Sequence, residues 1–349
     1  MTATAVPHEQ TQAFLTEPKQ VSVRPAAVPE PGPHQVLVEV AAVGICGSDV
    51  HYFDHGRIAD FVVREPLVLG HEASGTIRAV GAEVTDRTPG QRVALEPQET
   101  CGRCRECQSG RYNLCPQVRF FATPPIHGAF AQYVVLDAIR AHPVPDQLSD
   151  EAAALIEPLS VAVWAADKVG VGPGDRVLVT GAGPVGLLCA DVARARGAAW
   201  VGISDTNEHR LAVATDRGAN QAVNALAGPL ADQIEPVDVI LECSGAPVAV
   251  QAAFTVAAPA ARIVLVGLGP PAIELPVATI QVRELTVTGT FRYANTYPAA
   301  IALAASGVVD LDGLVTARFG LEQVSEALSV TKSDPNTLKP VVYPGVARL

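Results

Sequence analysis

The sequence predicts a two-part α/β chain: a β-rich unit first, then a parallel sheet covered by helices. Three observations carry this. Up to about residue 150, short valine-bearing runs punctuated by Gly and Pro (HQVLVEVAAVG, SGTIRAVG, GQRVALEP, AFAQYVVLD) follow one another closely, which reads as a barrel or sandwich. From about residue 160, strands alternate with Ala-rich helical segments, the mark of parallel strands joined by helical crossovers. The 349 residues exceed what one hydrophobic core usually serves, so two domains are expected.

Along the chain, VRPAAVPEPGPH (residues 23–34) reads as a Pro-rich surface loop, and no helix-period stretch competes with the strands between 21 and 150. Strands are then expected at 175–181, 198–205, 237–245, 261–269 and 285–291. PVGLLCADVARARG and NEHRLAVATDRG read as helices between them, with further helices near 297–306 and 321–329. Five strands complete the sheet, so the tail after about residue 292 is expected to rejoin the first domain.

Hydrophobic residues make up 48% of the chain and charged ones 17%, which argues for a packed globule and against disorder. A formal net charge of −11, without a basic run, argues against nucleic acid or an anionic membrane as partner. The most apolar stretch, AAALIEPLSVAVWAA, spans 15 residues and is interrupted by Glu157 and Pro158, too short to cross a bilayer. The start, MTATAVPHEQTQAF, lacks a secretory pattern, so a cytoplasmic protein is expected.

In VLVTGAGPVGLL an apolar strand runs into Gly181-x-Gly183-x-x-Gly186 and then a helix. The glycines allow a tight turn and close approach of the backbone to a pyrophosphate, while the helix N-terminus offers N–H donors. The second strand ends at Asp205, 22 residues beyond Gly183 (205 − 183). A carboxylate there accepts hydrogen bonds from the adenosine ribose and repels a 2′-phosphate, so NAD is expected rather than NADP. Arg210, shortly after it, could instead receive a 2′-phosphate, which is the opening for NADP.

Of seven cysteines, four stand in CGRCRECQSGRYNLC as Cys101, Cys104, Cys107 and Cys115. In a reducing compartment this clustering reads as a closed four-thiolate structural zinc site, against paired disulfides or an iron–sulfur cluster.

Three further polar clusters lie in apolar, Gly-rich surroundings. GICGSDVHY carries Cys46, Ser48, Asp49, His51 and Tyr52; GHE carries His71 and Glu72; LIEPLS carries Glu157. A thiolate, an imidazole and a carboxylate can hold zinc with one position open. In a regular strand His71 and Glu72 would face opposite ways, so both can ligate only if the backbone bends.

Taken together, the clusters resemble the medium-chain, zinc-dependent alcohol dehydrogenase superfamily, whose signature G-H-E-x2-G-x5-G-x2-V runs here from Gly70 to Val84. Within it the similarity is to the sorbitol and polyol dehydrogenases, carried by GICGSDVHY, FFATPP, ALIEPLSV, GAGPVG, ECSGA, VGLG and FRYANTYP. The resemblance covers nearly the whole chain. It implies a GroES-like β-barrel catalytic domain over 1–159 and 293–349, with a structural-zinc lobe at about 97–117. It also implies a Rossmann NAD domain over 160–292 and an active cleft between the two.

Carried over by position, Cys46, His71 and Glu72 are the expected catalytic zinc ligands, with Glu157 hydrogen-bonded to a water on the metal or reaching it directly. Tyr52, Phe120, Thr123, Glu157, Arg292 and Tyr293 are the expected substrate contacts. Gly181, Gly183, Val185, Gly186, Asp205, Arg210, Val266, Gly267, Leu268, Phe291 and Tyr293 are the expected cofactor contacts. His127, in PPIHG, departs from the acidic residue expected there and reads as a loop histidine.

The implied reaction is oxidation of a polyol hydroxyl to a ketose, because zinc lowers the pKa of a bound hydroxyl and favours hydride loss to NAD. Glu157 is the expected proton acceptor, with a Ser48–His51 relay as its rival; Asp49 is expected to fix the His71 tautomer. The same scaffold acting on threonine, butanediol or a simple alcohol is the enzymatic alternative, and a non-catalytic nucleotide-binding relative the other. A homotetramer is what the family suggests.

Overall fold

The computed structural model describes residues 6–349, whose contacts divide into two compact units, one running to residue 157 and resuming over 301–349, the other residues 158–300. The first unit is built on a seven-stranded sheet around the long strand Gln35–Gly44. One edge of that strand pairs antiparallel with Glu72–Val80 along its length. The other edge pairs first with Tyr133–Asp137 and then, at Val43 and Gly44, with Lys339–Tyr343 from the far end of the chain. Arg92–Leu95 and Ala141–Pro143 extend the sheet beyond Glu72–Val80, and Val315–Gly320 extends it beyond Lys339–Tyr343.

The alternation of QVLVEVAAVG fits this setting, with Val36, Val38, Val40 and Val43 buried together with Ile77, Val93, Leu95 and Phe130 in one core.

Two features depart from the sequence reading of this unit. Gln20–Ala27 is a strand paired with Glu9–Glu17, so the stretch read as a surface loop from Val23 is extended structure as far as Ala27. Pro25 is tolerated there because an outer strand need not donate every N–H. A helix also runs from Gly47 to His55, inside the region read as all-β. Its apolar period is too weak to announce it, and it is held instead by its N-terminal cap.

The second unit is a six-stranded parallel sheet. Its spatial order is Gln221–Asn224, Trp200–Asp205, Arg176–Thr180, Val237–Glu242, Ala257–Leu265 and Thr286–Gly289. Numbered by chain order this is 3-2-1-4-5-6, the Rossmann arrangement, in which ligands bind beyond the carboxyl ends of the strands where the order reverses. The sequence reading placed five strands; Gln221–Asn224 is the sixth. QAVN is too short and too polar to read as a strand, and its pairing with Trp200–Asp205 makes it one. The crossover helices Pro184–Ala195, Glu208–Asp216 and Pro247–Thr255 follow their strands directly.

Candidate functional site

Cys46 is the N-cap of the Gly47–His55 helix, and Asp49 at the third helical position returns its carboxylate to the Cys46 backbone N–H at 3.1 Å. This is a capping box with cysteine where serine or threonine usually stands. The other oxygen of Asp49 accepts from the Gly70 N–H at 2.9 Å and lies 3.5 Å from His71 Nδ1. One fully buried carboxylate thus ties the helix start to the GHE segment and holds the Nδ1 side of His71. Burial alone would raise the Asp49 carboxyl; His71 and the two backbone N–H groups outweigh it and hold it below the usual carboxylate range. Burial would likewise lower the His71 imidazole, but Asp49 and the Cys46 sulfur hold it well above its ordinary value.

The bend that His71 and Glu72 require is supplied by Gly70, whose φ of +87° is open to glycine and whose missing Cβ would sit 2.9 Å from Phe130 and Val43. The strand begins only at Glu72, so His71 is free of the alternation. Glu72 lies opposite Gly44 in the sheet, and a Cβ on Gly44 would fall 2.2 Å from a Glu72 carboxylate oxygen. That glycine makes room for the carboxylate. The result is that one ligand atom each from Cys46, His71 and Glu72 lies within 4.8 Å of the others. Thiolate sulfur, imidazole nitrogen and carboxylate oxygen form a donor set that fits zinc.

Glu157 is outside that group of three. It is 95% buried (5% exposed) in the first turn of the helix Ile156–Val169. Phe120, in the short strand Arg119–Phe120, brings its ring centroid to 5.5 Å from that of His71. Thr123 closes a turn onto the Phe120 carbonyl at 3.1 Å. Tyr52 is buried with the core of the first unit. Ser48 and His51 sit on the helix Gly47–His55, but among the described residues no hydrogen bond joins them; the His51 ring stands edge-on to His55 at 4.7 Å. His127 accepts the Val68 N–H at 3.2 Å and meets the Phe14 ring edge-on, a structural role.

Sequence reasoning missed Lys339. Its ammonium donates to both Glu72 oxygens at 2.8 Å and to the Ile45 carbonyl at 2.9 Å, and only 3% of the residue is exposed. Burial alone would lower its pKa, yet Glu72, Cys46 and Glu157 keep it above the ordinary lysine value. The available signal was a lone lysine opening the apolar run KPVVY.

The four lobe cysteines also converge within 4.8 Å. Cys101 Sγ lies 4.0 Å from Cys107 Sγ and 3.6 Å from Cys115 Sγ. Disulfide sulfurs stand about 2.05 Å apart, whereas a tetrahedron with metal–sulfur bonds of about 2.3 Å has edges of about 3.8 Å. The spacing fits a four-thiolate metal site. Backbone N–H groups of Arg103 and Cys104 pull the Cys101 thiol down to about 6, while at Cys104 the Cys107 N–H is outweighed by burial and the neighbouring cysteines, which push that thiol up to about 12.

Beneath the lobe, buried Glu96 accepts from Tyr112 Oη and Arg140 Nη1 at 2.8 Å, from Gln98 at 3.0 Å, and lies 2.8 Å from His142 Nε2. Tyr112 belongs to the lobe, while Arg140 precedes the sheet strand Ala141–Pro143 and His142 lies within it, so one carboxylate fastens the two together. Sequence reasoning did not find this cluster.

In the second unit, Gly181 has φ +90° and a Cβ on Gly186 would meet the Gly181 carbonyl at 1.8 Å, so this turn closes only with glycine. A Cβ on Gly183 would meet nothing within 4 Å, leaving the open approach that a pyrophosphate needs, beside Val185 in the first turn of Pro184–Ala195. Asp205 accepts the Ala182 N–H at 2.6 Å and those of Thr206 and Asn207 at 2.7 and 2.9 Å, which fixes its carboxylate against the glycine loop. Arg210 Nε is buried without a hydrogen bond, an orphan that a nucleotide can satisfy. These features fit a dinucleotide.

Glu242, at the end of its strand, accepts from Thr180 and from the Ser244 and Gly245 N–H groups at 3.0–3.1 Å. Gly245 and Gly267 then pack so closely that a Cβ on either would strike the other segment's backbone, which sets Val266, Gly267 and the exposed Leu268 at the strand ends. Arg292, at φ +56°, stacks over Phe291 at 4.7 Å, and Tyr293 is fully buried beside Tyr297.

The alcohol dehydrogenase GroES-like domain model matches residues 32–146 and the zinc-binding dehydrogenase model residues 184–306. The chain is 42% identical to sorbitol dehydrogenase of Bacillus subtilis over 348 residues, 97% of this chain and 98% of that one. Among solved structures, L-idonate 5-dehydrogenase from Escherichia coli aligns with a TM-score of 0.91 at 28% identity, over 96% of this chain and 98% of that one. The 2R,3R-butanediol dehydrogenase of Bacillus subtilis aligns with a TM-score of 0.87 at 29% identity, over 96% and 99%.

Proposed function

The chain belongs to the zinc-binding dehydrogenases with a GroES-like domain, and from that premise we propose that it oxidises a secondary hydroxyl of a polyol to the ketose, reversibly, with NAD as hydride acceptor. The observation that supports this most directly is the converging Cys46, His71 and Glu72, three donors of the types a catalytic zinc uses.

A zinc held there would lower the pKa of an alcohol hydroxyl by several units, as it does for water. The remaining work falls to side chains. Asp49 holds His71 in register, and Phe120 walls the pocket with its ring against the imidazole. Glu157 accepts the hydroxyl proton at its carboxylate; its burial beside Lys339 favours that role over the Ser48–His51 relay, whose members make no mutual hydrogen bond. Tyr52, Thr123, Arg292 and Tyr293 are proposed to orient the polyol. Cys101, Cys104, Cys107 and Cys115 hold a second, structural zinc.

On the cofactor side, Asp205 is proposed to take the ribose hydroxyls of NAD and to disfavour NADP by charge, with Gly181, Gly183, Val185, Gly186, Arg210, Val266, Gly267, Leu268 and Phe291 around the cofactor. Sorbitol, xylitol and arabinitol are the substrate class, supported by likeness to a sorbitol dehydrogenase. A small diol is the second reading, supported by likeness to a butanediol dehydrogenase. A cytoplasmic location suits four cysteines clustered as metal ligands rather than as disulfides.

A panel of polyols, butanediol and threonine, each with NAD and with NADP, tests the proposal by initial rates. A polyol should give the highest kcat/KM with NAD; butanediol or threonine leading by tenfold would favour the second reading.

A further inference from the structure

We infer that Lys339 is a positioning residue that weakens Glu72 as a metal ligand and so keeps a coordination position available to substrate. This rests on Cys46, His71 and Glu72 holding the metal, as proposed above. Glu72 and Lys339 stand on strands that flank Gln35–Gly44 on opposite edges, and they meet beside Gly44, where no side chain intervenes. The ammonium engages both carboxylate oxygens at 2.8 Å, and its third short contact, to the Ile45 carbonyl at 2.9 Å, is one residue from Cys46. Both residues are almost fully buried, so water screens the pair little.

The consequence follows from charge. Cys46, Glu72 and Glu157 would place three anionic groups around a dication, one negative charge in excess, and Lys339 cancels it. A carboxylate already shared with an ammonium donates less electron density to a metal and is displaced more readily. Without that cation Glu72 would become a tighter ligand, and the open position would be harder to keep. A purely structural role predicts the opposite: losing Lys339 would loosen the site, since outer partners that orient ligands usually support affinity about 10–100-fold.

The direction of the change in zinc release therefore separates the two. Purified full-length protein is challenged with excess chelator, and the release phase missing from Cys46→Ser identifies the Cys46 group. Lys339→Met is expected to slow that phase severalfold and to lower kcat with KM little changed. Lys339→Arg, which keeps the charge, should restore both. Lys339→Gln keeps a donor to the Ile45 carbonyl, removes the charge, and should slow release as Met does even where Met folds poorly. In a Glu72→Gln background the Lys339→Met effect on release should vanish, because the two residues act as a pair. Unchanged or faster release in both neutral variants, or an effect that persists without the Glu72 carboxylate, would overturn the inference. Loss of the Cys46-dependent zinc phase from the unmodified protein would instead overturn the metal reading itself.

Discussion

Glu72 and His71 adjoin in sequence but reach one site by different means. Gly70 turns the chain so that His71 precedes the strand, and Gly44 leaves the gap into which the Glu72 carboxylate extends. Gly44→Ala should therefore displace Glu72, since its new Cβ would lie 2.2 Å from the carboxylate. Zinc analysis of that variant is expected to fall from about two toward about one per chain, the lobe zinc remaining. The two ligand clusters were legible in the sequence because metal chemistry restricts residue type and spacing. Lys339 was not, because it lies 267 residues from Glu72 and only the sheet order makes them neighbours. Asp49 stood between these cases: its offset from Cys46 is a capping pattern, but its hold on Gly70 needs the fold.

Elements rather than single residues hold the lobe. Glu96 joins the strand Ala141–Pro143 and the lobe's Tyr112 through one buried carboxylate, with Arg140 also stacked over the Tyr112 ring at 4.4 Å. Burial alone would raise the Glu96 carboxyl; His142 and Arg140 hold it below its ordinary value of 4.5. A carboxyl depressed on folding stabilises the native state above its unfolded pKa, and that stability is lost as pH falls through the lower native value. Glu96→Gln should therefore cost about 2–4 kcal/mol near neutral pH, measured by denaturant unfolding. Its deficit against the parent should shrink as pH falls below about 4.5; an equal deficit at every pH would contradict this.

At this scale the strands with strong apolar runs were readable, from HQVLVEVAAVG to ARIVLVGLG. QAVN and the helix Gly47–His55 were not, because one is made a strand by its neighbour and the other a helix by its cap.

For the whole molecule, the parallel sheet ends at Thr286–Gly289, which has no strand on its outer edge among the described residues. Val277 and Val282 nearby in sequence are 61% and 85% exposed. An unpaired edge and exposed apolar side chains each invite a second copy. We propose the homotetramer, and light scattering after size exclusion should give about four times the 36.3 kDa chain mass. A monomer at micromolar concentration would count against it. The α/β class and the alternation of the second unit were legible because crossover helices and apolar strands leave long periodic signals. The polyol was not, because hydroxyl recognition depends on contacts finer than any spacing.

We propose that a zinc at Cys46, His71 and Glu72 drives NAD-linked oxidation of a polyol. The most direct measurement is the initial rate of NAD reduction with the best polyol, before chelation, after it, and after zinc is returned. Activity that falls with the Cys46-dependent zinc and returns with it is the expected result. Full turnover after that zinc has gone would contradict the claim.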